Sequence, residues 1–147
     1  MPENDPEVVN AKFDTNIDRM VWTSSQYAAR FNGGDLFKPD KYVTDYYTDE
    51  ALKVIEKNQN RPFFLYLSHW AIHNPLQALR SDVEQMTHMP DHNLQVYSGM
   101  IAALDRSVGK VVDKLKELKI YGKTLIIFTS DNGGANYIEL EDINKPY

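Results

Sequence analysis

Apolar residues recur with the spacing of an α-helix in two stretches of the chain. Residues 45–59 repeat them at intervals of three and four, which places one set on a single helical face: Tyr47, Ala51, Val54 and Ile55. Thr48 has the chemistry of an N-cap, and the acidic residues after it suit the positive end of a helix dipole. Residues 94–119 carry a longer stripe of the same kind. The pattern therefore predicts two helices, the second longer than the first.

Two near-continuous apolar runs flank the longer predicted helix. They are PFFLYLSHW at 62–70 and TLIIFTS at 124–130, and such runs are typical of strands buried on both faces of a sheet. Residues 71–93 are expected to form a long loop. The order strand, loop plus helix, strand is that of a right-handed βαβ unit. The predicted class is therefore α/β, with parallel strands flanked by helices.

Residues 1–40 show no clean period and are expected to form an irregular lead-in to a helix-strand-loop-helix-strand core at 41–147. A length of 147 residues corresponds to one domain at most, and 42% hydrophobic residues are enough to build a core. We therefore assign the whole chain to a single domain.

Charge and composition exclude several classes of protein. The net charge of −5 argues against a nucleic-acid-binding protein, which would need clustered lysines and arginines. The absence of cysteine excludes disulfides and thiolate zinc sites. No apolar run is long enough to span a bilayer, and the polar start MPENDPEVVN does not resemble a secretory signal.

Polar residues follow both predicted strands, at the sheet edge where open parallel sheets bind ligands. Asp131 and Asn132 follow the second strand and offer the oxygen ligands that calcium or magnesium prefers. The alternative is that Asn132-Gly133 forms only a hairpin turn. Two adjacent residues cannot complete a metal shell, so further ligands would have to come from elsewhere.

Two of the four histidines follow the first predicted strand. His73 could donate a hydrogen bond to a substrate oxygen or transfer a proton, although a loop histidine often bonds only to a nearby carbonyl. His69 lies at the strand end and is expected to be packed or to support the site. His88 and His92 have a spacing that suggests zinc, but Pro90 between them would break the required helix. We interpret that pair as part of a solvated loop.

Three motifs in this order resemble the sulfatase family, arylsulfatase B-like members in particular. They are FLYL followed by His73 in IHNP, the helix YSGMIAALDRSVG, and FTSDNGG. The resemblance covers about residues 42–147. It implies an alkaline-phosphatase-like α/β fold and hydrolysis of sulfate esters. It also implies a bound calcium ion and a formylglycine nucleophile, made from Cys or Ser.

The resemblance also implies roles for three residues. Asp131 and Asn132 match calcium ligands, and His73 matches a catalytic residue that contacts the sulfate or the ester oxygen. The expected partner is a sulfate ester substrate. Relatives usually work in the periplasm, outside the cell or in lysosomes.

The chain departs from the family pattern at the nucleophile. The signature C-or-S-x-P-x-R does not occur, and the paired aspartates of the family's first strand are missing. We therefore expect an interior piece of a catalytic domain, truncated at both ends and inactive alone. Two alternatives stay open: a phosphatase or phosphodiesterase of the same superfamily, and a non-catalytic α/β binding module.

Overall fold

A computed structural model describes residues 2–25, 27–134, 138–140 and 143–144. Its strands and α-helices follow in this order: β1 Val8–Ala11, α1 Asn16–Ser24, α2 Val43–Asn58, β2 Leu76–Leu79, α3 Arg80–Val83 and α4 His92–Glu117. Short 3-10 turns occupy Glu84–Met86 and Tyr121–Lys123. Within the described ranges, no helix has both the length and the hydropathy to cross a membrane.

The two predicted helices are confirmed as α2 and α4. The Asp91 side chain caps α4 by accepting a hydrogen bond from the Leu94 amide at 3.0 Å. The predicted cap of α2 is wrong, because that helix begins at Val43, with Tyr42 at the N-cap position. Thr48 instead lies inside α2, fully buried, and its hydroxyl bonds to the Thr44 carbonyl at 2.6 Å.

The sheet of the described residues has two strands, β1 and β2, and they are antiparallel. Val8 pairs with Leu79 and Ala11 with Leu76. Residues 1–40 therefore contain a strand and a helix, where an irregular lead-in was expected. Residues 71–93, expected to be a loop, contain β2 and α3. Both strands have only four residues, too few for a period to stand out, and they pair across a long sequence separation.

The two predicted strands do not form paired strands in the described part of the chain. Residues 62–70 have no strand assignment, and their side chains alternate between half-buried and exposed. Residues 124–130 also lack strand pairing, and Leu125, Ile127 and Phe128 are 84%, 78% and 71% exposed. The described residues therefore do not show the two predicted buried parallel strands, and their parallel arrangement stays a prediction. A strand that is apolar on both faces needs neighbours on both sides, and the described residues do not provide them.

The core lies where α4 packs on the sheet. Leu76 and Ala78 of β2 face Val96, Met100 and other apolar residues of α4. α2 also packs along α4, and the Tyr42 hydroxyl donates a hydrogen bond to the Gln77 carbonyl at 2.7 Å. This packing fixes β2 and α4 relative to each other, and the segment that carries His69 and His73 runs directly into β2.

Candidate functional site

The turn at 70–73 presents His73 to solvent. The His73 amide donates to the Trp70 carbonyl at 3.1 Å, which closes the turn. Ile72, the third residue of the turn, has φ of +64°, a value that costs a β-branched residue energy and that turns normally assign to glycine. The Ile72 side chain packs against the core cluster. Strained residues of this kind persist where the surroundings hold them, and they often occur at functional sites.

The ring of His73 is oriented by its neighbours. Its Nδ1 lies 2.7 Å from the Asn74 carbonyl oxygen, and a carbonyl can only accept, so Nδ1 carries a proton and donates. The Trp70 ring packs against it with 5.4 Å between ring centres. No hydrogen bond among the described residues uses Nε2 of His73, and the residue is exposed. The atom that can meet a ligand is therefore Nε2.

His69, which was expected to be packed or to support the site, points the other way, into the protein. Its Nε2 lies 3.0 Å from the Ser107 hydroxyl on α4. Burial lowers the pKa of His69 below its ordinary value of 6.5, because the interior disfavours the charged ring. Nδ1 is buried and has no hydrogen-bond partner among the described residues.

Asp131 and Asn132 follow the exposed segment 124–130 and are themselves exposed. The Ser130 hydroxyl donates to the Asn132 carbonyl at 2.5 Å. Further along, the Gly134 amide donates to the Asn144 side chain at 2.6 Å, and the Asn144 side chain donates back to the Gly134 carbonyl at 3.0 Å. In the described ranges no paired strands flank Asn132-Gly133, so nothing there shows the hairpin alternative.

The donor set at Asp131 and Asn132 fits a hard cation in type but only in part. A carboxylate and an amide oxygen are suitable ligands for calcium, which takes six to eight oxygens. Among the residues with described positions, no cluster of three or more His, Asp or Glu could hold a metal. No hydrogen bond or ion pair of these residues joins His73 to Asp131 or Asn132. The expected position of His73, Asp131 and Asn132 at one edge of the sheet stays a prediction.

An open groove of about 280 Å³ lies between α4 and the exposed segment 124–130. Phe128 forms one side, and Ile101, Leu104 and Val108 of α4 contribute to the other. Leu104 and Val108 belong to the single apolar stripe that the spacing predicts over residues 94–119, together with Met100. The helix instead has two apolar faces, one packed on the sheet and one that meets the segment leading to Asp131.

Comparisons with known proteins agree with the three motifs. The family model described as Sulfatase matches residues 3–142. Arylsulfatase J of Mus musculus is 31% identical over 112 residues, covering 69% of this chain and 19% of that protein. N-acetylgalactosamine-6-sulfatase of Sus scrofa is 38% identical over 95 residues, covering 63% of this chain and 17% of that protein.

A solved structure is also similar. The crystal structure of Ps i-CgsB in complex with k-i-k-neocarrahexaose is 42% identical with a TM-score of 0.66, and the match covers 69% of this chain and 23% of that chain. The matched region thus spans about a fifth of these relatives. The family match and the structural likeness together support an alkaline-phosphatase-like α/β fold. On these grounds the chain belongs to the sulfatase family.

Proposed function

We propose that the chain forms part of the active site of an enzyme that hydrolyses sulfate esters. The family match over residues 3–142 is the observation that carries the proposal. The orientation of His73 supports it independently, because this exposed imidazole is held in a strained turn with one nitrogen left for a ligand. Since the matched region covers only about a fifth of the relatives, the activity is proposed for the whole protein.

His73 is the residue to which we assign contact with the substrate. The Asn74 carbonyl accepts the Nδ1 proton, which leaves Nε2 to meet the substrate. With a proton on Nε2 as well, the ring would donate that proton to the sulfate or to the ester oxygen. That oxygen gains negative charge as the S–O bond breaks. A fixed donor aimed at the developing charge lowers the barrier.

Asp131 and Asn132 would contribute oxygen ligands to a calcium ion. When bound, such an ion supplies positive charge that stabilises an anionic ester and its leaving group. This matters because the chain itself has a net charge of −5. The remaining ligands and the formylglycine nucleophile would come from other parts of the protein, because the sequence has no cysteine and no C-or-S-x-P-x-R pattern.

The two exposed apolar segments fit this proposal. In the whole enzyme, residues 62–70 and 124–130 would be parallel strands of a larger sheet, and the chain would be part of one catalytic domain. Exposed side chains such as Phe64, Leu125 and Ile127 would then be covered. Strands that carry ligands at their carboxyl ends would bring His73 and Asp131 to one edge.

The proposal is tested by the turnover of an aryl sulfate by the whole enzyme. His73→Ala is expected to lower kcat by roughly 100-fold or more, the range for a general acid or a fixed donor. His88→Ala is the matched control, because His88 is exposed and lies outside the turn. The isolated chain with calcium should show no sustained turnover. Wild-type activity in the His73→Ala enzyme would contradict the assignment.

A further inference from the structure

A chain of hydrogen bonds joins His69, at the end of segment 62–70, to the helices α4 and α2. His69 Nε2 lies 3.0 Å from the Ser107 hydroxyl of α4, and that hydroxyl lies 2.6 Å from the Thr48 hydroxyl of α2. The Thr48 hydroxyl in turn lies 2.6 Å from the Thr44 carbonyl. Thr48 and Ser107 are 0% and 1% exposed, so bulk water does not compete for these bonds.

The order of the protons along this chain of hydrogen bonds follows from the carbonyl at its end. A carbonyl only accepts, so the short contact at Thr44 requires the Thr48 proton. With that proton used, Thr48 must accept from Ser107 at their 2.6 Å contact. Ser107 has then used its own proton and must accept from His69. His69 is therefore protonated on Nε2 and donates to α4.

The environment of Nδ1, the other ring nitrogen of His69, disfavours a second proton on the ring. Nδ1 is buried and has no acceptor among the described residues, and a buried N–H without an acceptor is costly. Burial also lowers the pKa of the ring. The resident form is the neutral imidazole with its proton on Nε2.

The turn that follows needs restraints on both sides. Ile72 holds its positive φ, and such strain persists only where surrounding contacts determine the backbone. On the far side, Asn74 is buried and leads into β2. On the near side, the bond from His69 to Ser107 fixes the chain to α4. Loss of that bond would allow the turn to relax and His73 to move.

We infer that His69 is a positioning residue: by donating from Nε2 to Ser107 it fixes the end of segment 62–70 to α4 and so sets where His73 meets the substrate. The inference deepens the proposed function and rests on the role assigned to His73. It concerns a residue that does not touch the substrate itself.

The proton assignment is tested first, by ¹⁵N–¹H correlation spectra of the histidine rings in the chain. His69 is expected to show a protonated Nε2 and an unprotonated Nδ1 at neutral pH. Ser107→Ala should speed exchange of the Nε2 proton with solvent, because its acceptor is gone. A His69 ring protonated on Nδ1 alone would overturn the inference without bearing on sulfate-ester hydrolysis.

The positioning role is then tested by kinetics of the whole enzyme. His69→Phe keeps a ring but loses the donor and should lower kcat roughly 10- to 100-fold, as misplacement of a reacting group does. KM should change by less than about threefold. His69→Gln, which retains an N–H donor, should recover most of kcat. A merely structural role would not depend on the donor in this way.

Kinetics of Ser107→Ala, compared with those of His73→Ala, separate failure of this inference from failure of the proposed function. Ser107→Ala removes the acceptor without disturbing a helix and should reproduce the kcat loss of His69→Phe, which covers the case in which the latter fails to fold. If His73→Ala abolishes turnover while His69→Phe and Ser107→Ala leave kcat unchanged, this inference is wrong and the proposed function stands. If His73→Ala has no effect, both are wrong.

Discussion

Arg106 and Asp82 form a two-pronged ion pair between α4 and α3. The Arg106 guanidinium donates to the two carboxylate oxygens at 2.6 and 2.9 Å, and it also reaches Asp45 of α2 at 3.4 Å. The carboxylates raise the pKa of Arg106 above its ordinary value. The side chain of Asp82 is only 4% exposed, so its charge depends on this partner.

Replacing Arg106 should destabilise the chain because it strands a buried carboxylate. Arg106→Met is expected to lower the free energy of unfolding by about 3 kcal/mol, at the low end of the range for buried pairs because the guanidinium is one-third exposed. Arg106→Lys should recover only part of the loss, because lysine cannot make the paired contact. Urea denaturation measures both.

Lys116 provides the control for that measurement. Its ion pair with Asp113 is 3.8 Å long and exposed on both sides, and such pairs contribute little. Lys116→Met should therefore change stability by less than about 0.5 kcal/mol. Equal stability of the Arg106→Met and wild-type chains would show that the ion pairs of Arg106 with Asp82 and Asp45 do not hold α4 to α3 and α2.

Replacement by alanine should have opposite effects on stability at Gly99 and Gly109, two glycines of α4. A Cβ on Gly99 would lie 3.0 Å from the Ala78 Cβ and 3.2 Å from a Val83 methyl, so Gly99→Ala must push α4 from β2 and α3. The cost of overpacking, roughly 1–3 kcal/mol, equals or exceeds the gain of about 1 kcal/mol in helix propensity. We expect net destabilisation in thermal or urea unfolding.

Gly109 lies in the same helix, and apart from its chain neighbours and the nearby backbone of that helix no atom lies within 4 Å of an added Cβ. Gly109→Ala should therefore stabilise the chain by about 0.5–1 kcal/mol through helix propensity alone. If both glycines respond with the same sign, then the close approach at Gly99 does not govern the packing of α4.

The two longest helices, α2 and α4, could be predicted from the sequence because their signal is local, whereas the shorter α1 and α3 were not predicted. Apolar spacing located α2 and α4 to within a few residues, and the N-cap chemistry of Asp91 is that of an ordinary helix start. The antiparallel pair β1–β2 could not be predicted, since four residues give hardly two periods of alternation and the partner lies far along the chain. Pairing of that kind is determined by tertiary packing.

Part of the candidate site could likewise be predicted from the sequence, and part could not. The position of His73 after an apolar run marks it as a candidate in the sequence, and its catalytic role stays a prediction. The link from His69 to Ser107 and Thr48 was missed, because it joins three segments that are distant in sequence. One signal was present in the sequence: Thr44 and Thr48 lie four residues apart, the spacing of one helical face, and the structure shows that both are buried.

The stability of the chain should fall in weak acid in a way that depends on His69. Burial lowers the pKa of this ring in the folded state below 6.5, so the unfolded chain binds more protons as the pH falls through this region. The contribution of His69 is therefore complete above about pH 6.5 and is lost as the pH drops through the lowered value. His69→Gln should remove that part of the slope.

Urea unfolding at several pH values between about 7 and 5 measures this effect, in a range where most carboxylates are still ionised. His88→Gln is the control and should retain the wild-type slope, because His88 is exposed. If the His69→Gln and wild-type chains lose stability in parallel, the buried ring does not stay neutral in the folded state.

Calcium affinity should depend on Asp131 in the whole protein and should be weak in the isolated chain. The chain offers a carboxylate and an amide from adjacent residues, and an oxygen shell of six to eight ligands needs more. Isothermal titration of the whole protein should show a large loss of affinity in Asp131→Ala. Asp113→Ala, which removes an exposed carboxylate of α4, should bind calcium as the wild type does.

Two outcomes would contradict this prediction. Zinc as the resident metal would favour the related phosphatases and phosphodiesterases. Tight calcium binding by the chain alone would show that its ligand set is larger than Asp131 and Asn132.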